Sequence, residues 1–163
     1  MKENFSKRVK QIIKRSKEEA LRLGHSYVGS EHLLLGLVKE NYGLSKKILD
    51  VYDIDSDEII SMIEDLIKPA GGTMTLGHLP LTRRAERILK NAFNEAEKKG
   101  DNAANQNHLL LSIALEKDCA ISEVFISVSI DYAIIQSYLS SKKDLKVIHK
   151  QNYNTKDIDY LNI

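Results

Sequence analysis

The chain has 163 residues and a net charge of +1, with 42% hydrophobic and 29% charged side chains, the balance of a folded globular protein rather than a disordered one. So small a net charge sets up no field to gather nucleic acid or an anionic membrane, and no apolar run reaches the roughly 18 residues of a spanning helix. Cys119 is the only cysteine, which excludes an intrachain disulfide and a cysteine-rich zinc site.

The N-terminal MKENFSKRVKQ has no apolar signal segment, and these features together point to the cytoplasm. Phe5, Val9, Ile12, Ile13, Ser16, Ala20 and Leu23 recur at three-and-four spacing, which predicts an amphipathic helix from about Ser6 to Leu23. Gly24 suits the left-handed residue that closes it. Ser30 reads as the cap of a second helix, Glu31 to about Glu40, with Glu31 in the first turn where a carboxylate meets the positive end of the helix dipole. Leu33, Leu34, Leu35, Leu37 and Val38 make that helix largely buried. A short third helix runs from Leu44 to about Val51. Asp55 and Glu58 read as a capping box opening a fourth, with Ile59, Ile60, Ile63, Leu66 and Ile67 on its apolar side. Lys68 to Pro80 holds three Gly and both Pro and reads as a linker.

After the linker the pattern restarts. His32-Leu-Leu-Leu35 returns 76 residues later as His108-Leu-Leu-Leu111, and the same offset aligns Arg8 with Arg84, Ile12 with Ile88, Glu19-Ala20 with Glu95-Ala96, Gly24 with Gly100, Glu40 with Glu116 and Asp55 with Asp131. One register held without a gap across two segments is an internal duplication. The expected fold is all-α: eight helices as two four-helix repeats, 1–67 and 81–141, joined by a linker at 68–80 and related by a pseudo-twofold axis. Residues 142–163 lose the periodicity and read as a polar tail or the start of a linker. Each repeat alone is marginal in size, so a shared core is expected.

Several residues admit two readings. His32 and His108 occupy equivalent positions, but no metal-ligand spacing accompanies them, so a ring bonded to backbone near each helix start is the preferred role. Arg8 and Arg84 suit either phosphate or, preferably, acidic groups across the repeat interface. Cys119 has only Lys117 as a cationic neighbour and reads as inert. Tyr27 and Tyr42 sit near loop ends where a partner surface would lie. No nucleophile–base pair is legible, and there is no GxxxxGK[ST] phosphate loop, so no catalysis and no cofactor or metal is expected of this chain.

The strings FSKRVKQII, SKEEALRLGHSYVGSEHLLLGLV and PLTRRAERIL resemble the N-terminal repeat domain of the Clp family of ATP-dependent unfoldases, ClpC branch, over about residues 1–140. The resemblance implies a domain mounted on a hexameric AAA+ ring that feeds a peptidase, receiving protein substrates and adaptor proteins, and monomeric when isolated. It also implies a phosphoarginine site at the helix start, where a carboxylate takes the guanidinium donors and backbone N–H groups take the phosphoryl oxygens. Glu31 matches that motif, with Ser30 beside it where Thr is usual. In the second repeat Asn107 replaces the Glu and brings no charge, so it is a weakened equivalent. The alternative is a free-standing homologue that regulates the Clp machine. Adaptor docking is expected on the polar surface near the inter-repeat junction rather than on the leucine-rich faces.

Overall fold

The computed structural model describes residues 4–40, 43–67 and 79–141. The linker expected at 68–80, apart from Leu79 and Pro80, lies outside them, as do Tyr42 and the tail at 142–163. The described residues form eight helices: α1 Lys7–Arg22, α2 Ser30–Glu40, α3 Gly43–Val51, α4 Ser56–Leu66, α5 Arg83–Lys98, α6 Gln106–Ala114, α7 Ala120–Ser127 and α8 Tyr132–Ser141. Those boundaries depart from the sequence pattern by one or two residues.

The duplication extends to single hydrogen bonds. Ser6 caps α1 by accepting from Val9 N–H at 3.2 Å, and Thr82 caps α5 by accepting from Ala85 N–H at 3.1 Å. Gly24 and Gly100 take φ of 76° and 70° after α1 and α5, the left-handed conformation that glycine adopts without a Cβ penalty. Asp53 and Ser129, also 76 residues apart, adopt φ of 55° and 57° in the turns that follow α3 and α7. Asp55 caps α4 through Asp57 N–H alone, at 3.0 Å, an Asx-type turn in place of the reciprocal box expected with Glu58.

The repeats exchange backbone. Phe5 bridges Ala104 and Val28 bridges Leu81, both in parallel sense. Four bonds of 2.9 Å build these bridges: Ser6 N–H to Ala104 C=O, Ala104 N–H to Asn4 C=O, Thr82 N–H to Val28 C=O and Val28 N–H to Pro80 C=O. At the offset of 76 each bridge is the image of the other, so the pseudo-twofold axis passes between them. The segment entering each repeat thus holds the loop before the second helix of the other.

One continuous apolar core serves both repeats. Ile12, Leu33, Leu35, Ile48 and Ile63 bury together with Ile88, Leu109, Leu111, Ile121 and Ile135. Within each repeat the first helix packs on the second, and α2 also meets α4, α5, α6 and α7. The buried acids Glu19 and Glu95 stand at matched positions. Glu19 is paired with Arg22 and Lys39, whereas Glu95 accepts from Lys98 at 3.3 Å and from the Tyr132 hydroxyl at 3.0 and 2.9 Å. Burial would raise the Glu19 carboxyl, but the hydrogen bonds from Arg22 and Lys39 outweigh it and hold the group below the usual range. Burial and the Glu95 carboxylate push Tyr132 up to about 12.

A second asymmetry lies where the first two helices of each repeat touch. On α1 the Ser16 hydroxyl donates to Ile12 C=O at 2.7 Å, and a Cβ on Gly36 of α2 would lie 2.4 Å from Ser16 Oγ and 2.7 Å from the Ile12 oxygen. In the second repeat Ala92 stands for Ser16 and Ser112 for Gly36, and the Ser112 hydroxyl crosses to Ile88 C=O at 2.6 Å. The same carbonyl is served in both repeats, from opposite helices.

Two outcomes follow from this packing. Because the core is shared, heat or urea should unfold the chain in one cooperative transition, and two separated transitions by circular dichroism would contradict it. Gly36→Ser should destabilise by ~1–3 kcal/mol through overpacking, and adding Ser16→Ala should recover only the part due to the Ser16 hydroxyl, because the Ile12 carbonyl still crowds the new Cβ, giving a measurable coupling in a double-mutant cycle of urea midpoints.

Candidate functional site

The two helix starts singled out by the sequence are built alike and finished differently. In both, a histidine at the third helical position turns its ring back to the residue before the helix. Gly29 N–H donates to His32 Nδ1 at 2.9 Å, and Asn105 N–H donates to His108 Nδ1 at 2.9 Å. The rings therefore have the preferred backbone-bonding role. Among the described residues no group of three or more His, Cys, Asp or Glu is placed to hold a metal ion.

Ser30 is not the cap expected. It is the first residue of α2, and Gly29 stands in the cap position with its carbonyl accepting from Leu33 N–H at 3.1 Å. The Ser30 hydroxyl instead donates to Glu31 Oε2 at 3.2 Å and orients that carboxylate. Ser30 is buried and Glu31 partly exposed. The glycine matters sterically, since a Cβ at residue 29 would lie 3.0 Å from Glu31 Oε2 and 3.6 Å from the Tyr27 ring.

In the second repeat the cap residue is Asn105, whose Oδ1 accepts from Asn107 N–H at 2.9 Å and His108 N–H at 3.2 Å. This helix start is capped by its own chain. Asn107 Oδ1 is buried and accepts from nothing among the described residues. The first start thus keeps a carboxylate over a glycine cap, which has no side chain to bond the first-turn N–H groups, while the second has an uncharged amide over an asparagine that occupies two of them. Sequence reasoning found the Glu31/Asn107 difference and missed Gly29/Asn105, although the offset of 76 aligns both pairs.

Behind each ring the repeats diverge again. His32 Nε2 meets His25 Nδ1 at 2.9 Å, and His108 Nε2 meets Asp101 Oδ2 at 2.9 Å. Tyr27, 42% exposed, stacks on His25 with centroids 5.5 Å apart, whereas its counterpart is Ala103. Burial, reinforced by His25, pushes His32 down to about 4. Burial also lowers His108, though Asp101 opposes it.

Arg8 and Arg84 each pair with an acid of their own repeat. Arg8 lies 3.7 Å from Glu40, and Arg84 lies 3.0 Å from Glu116, which Arg87 also binds. Each joins the first helix of its repeat to the far end of the second. Cys119 is partly buried at the start of α7. An apolar depression straddles the pseudo-axis, lined by Leu34, Leu37, Leu49, Leu110, Phe125 and Val128, and nearby α7 exposes Ile126 at 76%. Leu34, Leu37 and Leu110 stay buried beneath this depression, at 2%, 4% and 5% exposure. No single described helix is long and apolar enough to cross a membrane.

Reciprocal bridges, a shared core and paired helix starts define a two-repeat helical domain. The model of the Clp repeat (R) N-terminal domain family matches residues 4–127, and the chain belongs to that family. It is 34% identical over 127 residues to the ATP-dependent Clp protease ATP-binding subunit ClpC of Staphylococcus aureus, a match covering 78% of this chain and 15% of that protein. The chain therefore corresponds to a small part of the curated relatives that it matches. The fold is that of the Hsp104 N-terminal domain from Candida albicans (TM-score 0.69, 18% identity, 83% of this chain and 88% of that one). It is also that of the N-terminal domain of the chaperone ClpD from Arabidopsis thaliana (TM-score 0.67, 18% identity, 84% and 95%).

The depressed His32 sets a pH dependence. Between its ordinary value of 6.5 and about 4, the unfolded chain takes up a proton that the folded one refuses. Its contribution to stability is complete above the upper value and declines as pH falls through that window. Urea midpoints measured across it should fall with acid, and His32→Gln should flatten the slope; an unchanged slope would contradict the assignment.

Proposed function

We propose that this domain is a substrate- and adaptor-recognition module of a ClpC-like unfoldase in ATP-dependent proteolysis, without catalysis of its own. Its ligand is the phosphoarginine side chain on marked proteins, taken at one site, the start of α2. Glu31 receives the guanidinium N–H donors, Ser30 holds that carboxylate in place, and the first-turn backbone N–H groups receive the phosphoryl oxygens. Asn107 marks the weakened equivalent.

The observation that carries this reading is the asymmetry of the caps. Gly29 has no side chain with which to bond the first-turn N–H groups, whereas Asn105 Oδ1 already bonds two of them in the second. Charge and donors are both present at the first start and both withdrawn at the second. The AAA+ ring and peptidase of a longer protein would act on what this module delivers.

Calorimetry with a phosphoarginine peptide tests it. The parent should bind with one site, and Glu31→Gln should lose about ten- to a hundredfold in affinity, the value of one charge-assisted hydrogen bond. Asn107→Glu alone should add only weak binding, because Asn105 still occupies the amides, while Asn105→Gly with Asn107→Glu should open a second site. Two equal sites in the parent, or full affinity in Glu31→Gln, would overturn the reading.

A further inference from the structure

The histidine pair behind α2 has a proton inventory that leaves no slack. Gly29 N–H donates to His32 Nδ1, so Nδ1 carries no proton and the neutral ring must carry its proton on Nε2. Nε2 lies 2.9 Å from His25 Nδ1, which must then accept, placing the His25 proton on its own Nε2. The row runs Gly29 to His32 to His25, with each donor facing an acceptor. An added proton has two places to go. On His32 Nδ1 it confronts Gly29 N–H. On His25 Nδ1 it confronts His32 Nε2–H, and the conflict is relieved only if His32 moves its proton to Nδ1, which again displaces Gly29. His25 and His32 are 9% and 1% exposed, so neither ring turns away freely.

The Glu19 carboxylate favours a proton on His32, but burial and His25 outweigh it. Among the described residues, α1 contributes Glu19, already committed to Arg22 and Lys39, with Glu64 of α4 joining the same cluster. The loop contributes Tyr27, stacked on His25 and edge-on to His32, and α2 contributes Glu31, directed toward Gly29 and bonded by Ser30. In the second repeat Asp101 takes the place of His25, and Asn105 Oδ1 holds the helix start independently of the ring. That half has a built-in control.

We propose that His25 and His32 are positioning residues forming a proton-sensitive latch: with both rings neutral they hold the Gly29 amide and the Glu31-bearing start of α2, and one added proton releases it. The link to ligand affinity rests on the phosphoarginine reading above; the latch itself does not. Because α2 has no side-chain cap of the Asn105 kind, release of Gly29 frays its first turn, while α6 keeps its own.

Heteronuclear NMR of the full chain, titrated from about pH 7.5 to about pH 3, tests the latch without ligand. At the upper end both rings should show the Nε2–H tautomer. On acidification the Gly29 amide should move with the same midpoint as the His32 ring. Amide exchange in the first turn of α2 should quicken over that step while the first turn of α6 stays protected. His25→Asn, which accepts from His32 without titrating, should keep the Gly29 bond at neutral pH and raise the midpoint, since the repulsion from His25 is gone. A His32 Nδ1–H tautomer at neutral pH, or a Gly29 amide and α2 first turn that ignore the His32 titration, would overturn the proposal.

A second arm uses the phosphoarginine peptide at about pH 7.5. His32→Leu, with no acceptor for Gly29, should weaken binding by about tenfold or more, and His32→Gln, whose amide oxygen can accept, should restore most of it. Undiminished binding by the Leu variant overturns the positioning role. A parent that binds no phosphoarginine peptide overturns the proposed ligand instead, and the ligand-free titration then decides the latch alone.

Discussion

Everything at the candidate site depends on the reciprocal exchange of backbone between the halves. A loop that turns from one helix into the next at the surface has few apolar side chains to fix it. Here Val28 and Ala104, two residues ahead of the α2 and α6 starts or nearly so, are fully buried and bonded on both sides to the entering segment of the other repeat. Each bridge satisfies backbone groups that the buried loop could not leave unpaired. It also fixes the residues that follow, so Gly29, Ser30 and Glu31 project from a braced frame. Separating the repeats would cost the core its other half and release both helix starts together.

Much of this was legible because helical duplication writes itself into sequence twice. The three-and-four spacing of Val9, Ile12 and Ile13 and the buried leucine triplets gave the helices, and the constant offset gave their pairing. The cross-repeat bridges were not legible. Phe5, Val28, Leu81 and Ala104 occupy short extended segments with no period of their own, and their partners lie in the other repeat. Ser30 was misplaced by a single residue for a related reason: serine, glycine and glutamate all suit a helix start, and only the Gly29 carbonyl bond shows which residue is the cap.

The arginines illustrate a different limit. Composition supplies cations and acids in near-equal number, so a sequence offers many partners for each. The fold selects Glu40 for Arg8 and Glu116 for Arg84, each joining an arginine early on the first helix of a repeat to an acid at or just past the end of the second. The acids buried in the middle, Glu19 and Glu95, kept their positions through the duplication but changed partners, from lysine and arginine to lysine and a tyrosine hydroxyl. A buried carboxylate fixes what must be nearby in kind rather than in identity, and the neighbouring helices answered it differently.

The migrated hydroxyl between the first two helices of each repeat bears on how a doubled chain finds its proper partners. Near-copies invite exchange, with α1 seating against α6 and α5 against α2 by the same apolar pattern. Ser16 facing Ser112 would crowd two hydroxyls onto one carbonyl, and Ala92 facing Gly36 would deprive the Ile88 carbonyl of its hydroxyl partner and leave a void beside it. Both errors arise in the same mispaired molecule, so their costs accumulate there. A relic of divergence thereby acts as a key that each pair of helices carries for its own lock.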